Sequence, residues 1–298
     1  MSPRSETLID AKLIMRDGLA RISPECELDK NGYAQVWQQN LLPGIDPNRI
    51  KADLGEKKGS ELDKKFKAAH SSAALAVNSF AHFTRPAAIL PIPGFANLQF
   101  DGFEVLFPTG LIGRTPPHLD ASAHNESTVV AIESKCLEYF TPKVVEFAPA
   151  YVTEIVDDRR EGPWFAEMMR LREQPRAYQY LDAAQLIKHG FGVAWTAKLP
   201  ATLLYVYWEP DDAQRHSMLA EHRAEIAAFS QRVAGGRPSF ASISYPELWT
   251  YWAATGDEAL REHVGVLRAR YGGELGSYEG YSRVDGRKTD EGFWGDLD

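Results

Sequence analysis

Runs of apolar residues separated by short polar breaks predict four strands along the middle of the chain. Residues 98–108 and 202–208 are rich in aromatic and β-branched side chains, which pack well on a sheet. Between them, residues 128–132 are apolar and mostly β-branched, as in a central strand with both faces covered. Residues 124–127 are polar residues of types that favour turns, so we expect a hairpin that joins this strand to an extended segment at 118–121.

Helical spacing of apolar residues dominates the rest of the chain. Residues 5–19 form the first predicted helix, which the Asp-Gly pair at 17–18 interrupts. Further helices are predicted at 60–83, 177–190 (closed by Gly190), 211–234 and 257–271, and a strand with a short helix at 240–252. This order predicts an α/β protein with a mixed central sheet flanked by helices.

The same patterns divide the chain into three predicted parts. Residues 1–58 are predicted to be an N-terminal accessory helical segment. Residues 59–210 contain the strands and form the predicted core, with an insertion at about 142–176 that is rich in aromatic and charged residues. Residues 211–298 are predicted to be a C-terminal helical extension packed on the core.

Composition excludes several classes of protein. The chain has 298 residues, 44% hydrophobic and 25% charged, which is ordinary for a globular protein. It shows neither an apolar run as long as a membrane span nor a secretory pattern, so we expect no membrane contact and a cytoplasmic location. Cys26 and Cys136 give neither a disulfide framework nor a zinc spacing. The net charge of −8 argues against a general nucleic-acid coat, although it allows a local basic cleft.

Charged residues mark the end of the predicted hairpin. Side chains alternate along a strand, so Glu133 and Lys135 share one face while Ser134 lies on the other. Pairing with the segment 118–121 brings Asp120 alongside Glu133. Two neighbouring carboxylates repel each other and are most stable with a hard cation between them, and Mg²⁺ prefers such oxygen ligands. Lys135 beside that metal would assist an attacking water and stabilise the charge on a phosphate. An acid and a Glu-x-Lys also occur as a solvated strand end or a surface salt bridge, so the spacing alone is weak evidence.

The Asp…Glu-x-Lys hairpin resembles the PD-(D/E)xK nuclease superfamily. The longer sequence around it, Pro-His-Leu-Asp followed by Ile-Glu-Ser-Lys-Cys-Leu-Glu-Tyr, is similar to that of a bacterial group within the superfamily. Members of this group are assigned to restriction endonucleases. The resemblance implies a restriction-endonuclease-like core in which Asp120 and Glu133 bind Mg²⁺, or Mn²⁺ as a substitute. It adds the main-chain carbonyl of Ser134 as a metal ligand and assigns Lys135 to the water. One departure is that Leu119 precedes the aspartate and the proline stands earlier.

Three further acids are candidates for the site. Glu104 interrupts an apolar strand, where an acid is costly unless it is paired or bound to metal. Glu138 lies within the stretch of sequence that resembles the superfamily. Glu61 lies on the helix before the first core strand, from which superfamily members often supply another acid. A dipole-favourable place near the helix start is the alternative explanation for Glu61.

Polar and basic residues outside the hairpin are also candidates. Superfamily members often place a glutamine and a basic residue on the helix after the lysine strand, which suggests Gln185 and Lys188. An ordinary polar helix face is the alternative explanation for both. Arg114, just before the aspartate strand, is a candidate phosphate contact, and a surface arginine is its alternative. The lysine-rich stretch 51–67 is either a solvated helix face or a patch that contacts phosphates.

These features predict a Mg²⁺-dependent endonuclease that hydrolyses DNA phosphodiester bonds in restriction or defence. Two other classes stay open from the sequence. One is a recombination or repair exonuclease with the same chemistry, and the other is a non-cleaving nucleic-acid-binding protein with the same fold. DNA is the expected partner, and the resemblance leaves open a homodimer and a partner protein from the same defence system.

Overall fold

A six-stranded mixed sheet with helices on both faces forms the centre of the computed structural model, which describes residues 3–55, 62, 65–113 and 115–278. The strands lie in chain order across the sheet. They are β1 (Ile89–Ile92), β2 (Phe95–Leu106), β3 (His118–His124), β4 (Val129–Lys135), β5 (Ala201–Tyr207) and β6 (Ser239–Ser244). The pairs from β1 to β4 are antiparallel, and those from β4 to β6 are parallel. The predicted α/β class with a mixed sheet is confirmed.

The two central strands are buried on both faces, as their apolar sequences predict. All seven residues of β5 are buried, and in β4 only Val129 is not. The proline-rich connection 86–93 contains a strand that the sequence pattern did not predict, and the predicted strand 98–108 begins earlier, at Phe95. Pro91 is tolerated in that extra strand because β1 lies at the edge of the sheet, where a missing N–H costs no ladder hydrogen bond.

Helices cover the sheet from both sides. In the described part of the chain they are α1 (Pro3–Ile22), α2 (Pro47–Gly55), α3 (Ser72–Phe80), α4 (Ala150–Thr153), α5 (Pro163–Glu173), α6 (Ala183–Thr196), α7 (Ser217–Arg232), α8 (Tyr245–Thr255) and α9 (Glu258–Tyr271). One apolar cluster joins Ile132 and Val206 to side chains of α1, α3, α8 and α9. The other joins Ala131 and Tyr205 to side chains of α5, α6 and α7. None of the helices described here has the length and apolar character needed to cross a membrane.

Two helices continue through glycines that the sequence pattern assigns to helix ends. Helix α1 runs past Gly18, and a side chain at that position would overlap the main-chain carbonyl of Arg270 in α9. Helix α6 begins later than predicted, at Ala183, and runs past Gly190, where a Cβ would meet the ring of Trp164. These glycines therefore serve close packing between elements, which outweighs their low helix propensity.

A serine cap sets the start of α3, so the helix predicted over 60–83 is shorter in the described residues. The Ser71 hydroxyl accepts the main-chain N–H of Ala74 at 3.2 Å, which satisfies one of the orphan donors at the helix start. The residues that directly precede this cap form turns, and Ala68 pairs with Tyr33 in an isolated bridge. The N-terminal segment is thereby joined to the chain just before α3.

A buried arginine connects segments from both ends of the chain. Arg270 of α9 is 0% exposed, and its guanidinium donates to the carbonyl of Met15, to Asn40 Oδ1 and to the carbonyl of Ala69, at 2.7–2.8 Å. Hydrogen bonds from a charged donor are stronger than neutral ones, so these contacts hold α1 and the turns before α3 against α9. The three-part division of the chain stays a prediction.

Candidate functional site

The β3–β4 hairpin carries the charged residues predicted for the site. Asn125 turns the chain, because its Oδ1 accepts the main-chain N–H groups two and three residues further on. Main-chain pairing of the two strands ends at Ala121 and Ile132. Beyond that point the Asp120 side chain replaces a main-chain partner, since its Oδ2 accepts the N–H of Ser134 at 2.7 Å. Asp120 is thereby fixed against the end of β4.

Both carboxylate oxygens of Glu133 are in contact with basic side chains. Lys135 Nζ donates to Oε1 at 2.6 Å, and His189 Nδ1, on α6, lies 3.0 Å from Oε2. The Glu133 side chain is only 3% exposed. Burial by itself raises the pKa of Glu133, but Lys135 and His189 outweigh burial and bring the pKa down to about 2. Glu133 is therefore ionised at neutral pH.

The pKa of Asp120 is shifted in the opposite direction to that of Glu133. Burial raises its pKa well above the usual value, the charge of Glu133 raises the pKa further, and Lys135 opposes both. Burial also lowers the pKa of Lys135, but the charges of Glu133, Glu138 and Asp120 outweigh burial and raise it above its ordinary value. The result is a lysine that stays charged next to two carboxylates, one of which resists ionisation until a cation compensates it.

A cavity of about 510 Å³ borders these groups. The fold brings the following predicted site residues to its wall: Glu104, Asp120, Lys135, Glu138 and Gln185. The volume lies within the roughly 300–1,000 Å³ that is typical of ligand pockets. Residues that the sequence spreads over β2, β3, the end of β4 and α6 therefore meet at one place.

Glu104 adopts an unusual backbone conformation beside Asp120. Its φ of +49° lies in the left-handed region, which residues with a side chain rarely adopt and which costs of the order of 1–3 kcal/mol. Its two neighbours on β2 pair with the residues on either side of Asp120, and its charge contributes to the raised pKa of Asp120. Backbone strain of this kind clusters at functional sites, so the geometry supports Glu104 as part of this one.

The remaining candidates on β4 and α6 differ in placement. Gln185 lines the cavity, and its side-chain oxygen is buried without a hydrogen-bond partner among the residues that the structure describes. A buried polar atom without a partner is costly, which is typical of a site that a ligand completes. Glu138 Oε2 accepts the main-chain N–H of Cys136 at 2.7 Å. Lys188 lies outside this cavity, with its ammonium 5.6 Å from the centre of the Phe147 ring.

Two predicted site residues, Glu61 and Arg114, lie outside the described residues. Their roles as an additional acid and as a phosphate contact stay predictions. The same holds for the metal contact assigned to the Ser134 carbonyl and for the phosphate contact assigned to Lys188.

The carboxylates at the site fit Mg²⁺ better than a metal whose ligands must all come from protein side chains. Within the described ranges, no group of three His, Cys, Asp or Glu side chains could by itself hold a metal ion. Mg²⁺ keeps several waters and is commonly bound by only one or two carboxylates, which Asp120 and Glu133 can provide. A carboxylate has about four lone-pair positions, so Glu133 can accept a metal while it keeps Lys135 and His189.

Sequence reasoning missed His189, although one signal for it was present. It follows Gln185 by four residues, which places both side chains on the same side of α6. A lone histidine in an apolar helix is weak evidence for a site. Its contact with Glu133 arises only when α6 packs onto the sheet.

A comparison with known protein families identifies the class of this chain. A family model described as Restriction Endonuclease associating with ARP matches residues 14–272, and the chain therefore belongs to this family. No curated protein and no solved structure matches the chain. The family match confirms the resemblance to restriction endonucleases, and it indicates a nuclease of restriction type.

Proposed function

We propose that this protein is a metal-dependent restriction endonuclease that hydrolyses DNA phosphodiester bonds. One observation carries the proposal. Asp120 and Lys135 line one cavity, and Glu133 is in contact with the lysine. Two carboxylates that can hold a hard cation, next to an ammonium group, match the needs of phosphodiester hydrolysis, in which negative charge accumulates on the phosphate oxygens.

The side chains of the site divide the chemistry among them. Mg²⁺ held by Asp120, Glu133 and the Ser134 carbonyl would polarise the phosphate and lower the pKa of a bound water, and Mn²⁺ would substitute for it. Lys135 orients the attacking water and stabilises the charge that develops on the phosphate. The water oxygen forms a bond to phosphorus and its proton passes to solvent, while the bond from phosphorus to the leaving oxygen breaks and that oxygen takes up a proton from solvent, which gives a phosphate monoester and an alcohol.

The family also bears on the partners of the protein. DNA is the proposed substrate, because the family is one of restriction endonucleases. Since the family description names an association with ARP, we propose a partner protein of that kind for this chain as well. With a net charge of −8, the chain needs a local concentration of basic groups to contact DNA, and four lysines line the cavity together with three acids. A homodimer stays a prediction.

Cleavage of supercoiled plasmid in Mg²⁺, in Mn²⁺ and in EDTA tests the proposed function. We expect metal-dependent nicking or linearisation that falls by about 10²–10³-fold in Lys135→Ala, the usual loss when one group that stabilises transition-state charge is removed. Lys198→Ala is the matched control, because Lys198 is exposed in the loop before β5, at the opposite end of β4 from Lys135.

Thermal melting of both variants establishes that each is folded. Activity that survives unchanged in Lys135→Ala would overturn the proposed mechanism. Degradation of linear but not of circular DNA would instead assign an exonuclease with the same chemistry.

A further inference from the structure

Three large apolar side chains are exposed together on one part of the surface. Ile112, Val156 and Trp195 are 83%, 80% and 54% exposed. They come from the loop between β2 and β3, from the segment after α4 and from the last turn of α6. A single exposed apolar residue is ordinary, but a group of them marks a surface that binds another molecule. We call Ile112, Val156 and Trp195 the apolar patch.

Contacts between the three segments hold the apolar patch together. The main-chain N–H of Ile112 donates at 2.9 Å to Oε2 of Glu154, which precedes Val156 by two residues. Arg159 follows Val156 by three residues, and its guanidinium carbon lies 4.7 Å from the centre of the Trp195 ring. The segment after α4 therefore joins the other two.

The loop between β2 and β3 is also fixed beneath the tryptophan. Arg159 donates to the main-chain carbonyl of Thr109 at 2.7 Å. A Cβ on Gly110 would lie only 2.6 Å from the Trp195 ring, so the ring rests directly on the main chain of the loop. A surface that is held in place before binding loses little conformational entropy when a partner docks on it.

Acidic residues border one side of the apolar patch. Residues 154–161 include four acids and two arginines, which gives this segment a net charge of −2. Asp158 and Glu161 are exposed to solvent. Lys198 follows Trp195 by three residues, so the acidic character belongs to the side of the patch that residues 154–161 form.

These charges favour one kind of occupant over the others. The acids of residues 154–161 repel DNA phosphates, and a second copy of the chain brings another net charge of −8. A different protein with basic side chains beside an apolar surface is attracted to the acids and covers the apolar side chains. Ile112, Val156 and Trp195 are not among the residues that line the cavity beside Asp120, so the patch and the cavity are separate surfaces.

We propose that the apolar patch is the docking surface for the partner protein. The matching surface of the partner is apolar at its centre and basic where it faces residues 154–161. The inference rests on the proposed partnership with an ARP protein, and it adds the surface and the chemistry by which the two proteins bind. Trp195 is the expected main anchor, because tryptophan is enriched among the residues that dominate binding energy at interfaces.

Isothermal titration calorimetry with a purified ARP protein from the same source as this chain tests the inference. We expect Val156→Asp and Ile112→Asp each to weaken binding at least about tenfold, because a carboxylate would be buried against apolar groups. Val36→Asp is the matched control, since it places the same charge at another exposed valine and should bind as the wild type does. Val156→Ser is a milder variant, and thermal melting establishes which variants are folded.

The acidic side of the patch has a separate measurement. Charges at the edge of an interface act mainly on the association rate and on its dependence on salt. The double variant Asp158→Asn/Glu161→Gln should therefore associate more slowly with the ARP protein at low salt and respond less to added salt. Surface plasmon resonance gives the rates. A wild-type association rate that is independent of salt would contradict a basic partner surface.

Three results would overturn the inference. The first is wild-type affinity for the ARP protein in the folded aspartate variants. The second is a loss of affinity for duplex DNA in those variants while ARP binding persists, which would assign the patch to DNA. The third is a wild-type dimer in sedimentation equilibrium that dissociates in Val156→Asp, which would assign the patch to a second copy of the chain.

Cleavage of supercoiled plasmid by the wild type is scored independently, so the two proposals can fail separately. Binding of the ARP protein through the patch without cleavage would contradict the nuclease proposal alone. Cleavage together with ARP binding that is insensitive to the patch would contradict the docking inference alone. No ARP binding by the wild type would contradict the partnership and the docking surface together.

Discussion

The contacts around Glu133 show how single residues prepare this site. Lys135 holds one oxygen of the carboxylate and His189 lies against the other, so the side chain is fixed in place before any metal arrives. Loss of a group that orients a metal ligand commonly lowers metal affinity by about 10–100-fold. With Glu133 as the proposed metal ligand, we therefore propose that His189 is a positioning residue that acts through it.

Replacing His189 tests this role. We expect His189→Ala to weaken binding of Mn²⁺ by about 10–100-fold, the usual cost of removing a group that orients a ligand. Isothermal titration calorimetry gives the affinity directly, without any need for a substrate. Lys188→Ala is the control on the same helix, because that lysine lies over the Phe147 ring and should leave the Mn²⁺ affinity unchanged. Equal affinities in wild type and His189→Ala would show that the histidine only fills space.

At the scale of whole elements, the packing of α1 against α9 positions the two α1 side chains that line the cavity, Leu8 and Lys12. Gly18 lies well inside α1, and its missing side chain lets the helix approach the main chain of Arg270. Arg270 then reaches across to Met15 and Ala69. Helix α1, which carries Lys12, is thus held in place by contacts that have no local sequence signature.

A pair of glycine substitutions separates packing from helix propensity. Gly18→Ala should destabilise the protein by about 1–3 kcal/mol, because a Cβ there would overlap the Arg270 carbonyl and over-pack the interface. Gly265→Ala in α9 meets no atom within 4 Å and should stabilise by about 0.5–1 kcal/mol, since alanine is the better helix former. Urea unfolding of both variants gives the two free energies. Stabilisation by both substitutions would contradict the proposed close contact.

At the scale of the whole molecule, buried histidines make the stability depend on pH. His222 is 0% exposed, stacks on Tyr139 with ring centres 4.2 Å apart, and lies 3.3 Å from the hydroxyl of Tyr205. Burial, with a smaller contribution from Arg223, lowers the pKa of His222 to about 3. Below the ordinary histidine pKa of about 6.5, the unfolded chain binds a proton that the folded protein refuses, so acid favours unfolding.

The pH dependence of His222→Phe measures this effect. Stability attributed to His222 is complete above about pH 6.5 and falls by about 1.4 kcal/mol for each pH unit below it, until the folded pKa is reached. The wild type should therefore lose about 2 kcal/mol more than the variant between pH 6.5 and pH 5. Urea unfolding at a series of pH values gives both curves, and the difference isolates His222 because the other groups titrate in both proteins. Parallel curves would show that the buried imidazole does not resist protonation.

Much of the fold and part of the site were predictable because their signals are local. The β3–β4 hairpin follows from turn residues and a β-branched run, and strand alternation places Glu133 and Lys135 together on one face of β4. Helix boundaries were less predictable. Gly18 and Gly190 are typical of helix ends, but both lie inside helices because another element packs against them. The edge strand β1 was hidden by its proline.

The sequence by itself determined the α/β class and the mixed sheet through the order of its apolar segments, and it selected Asp120, Glu133 and Lys135 through a local hairpin pattern and its resemblance to a known superfamily. Only the tertiary structure decided that His189 contacts Glu133, that Glu104 adopts its strained conformation beside Asp120, and that the N-terminal segment walls the cavity. Those contacts join residues that are far apart in the chain. They form only when helices pack onto the sheet to bury apolar surface, and no local pattern encodes which polar groups that packing brings together.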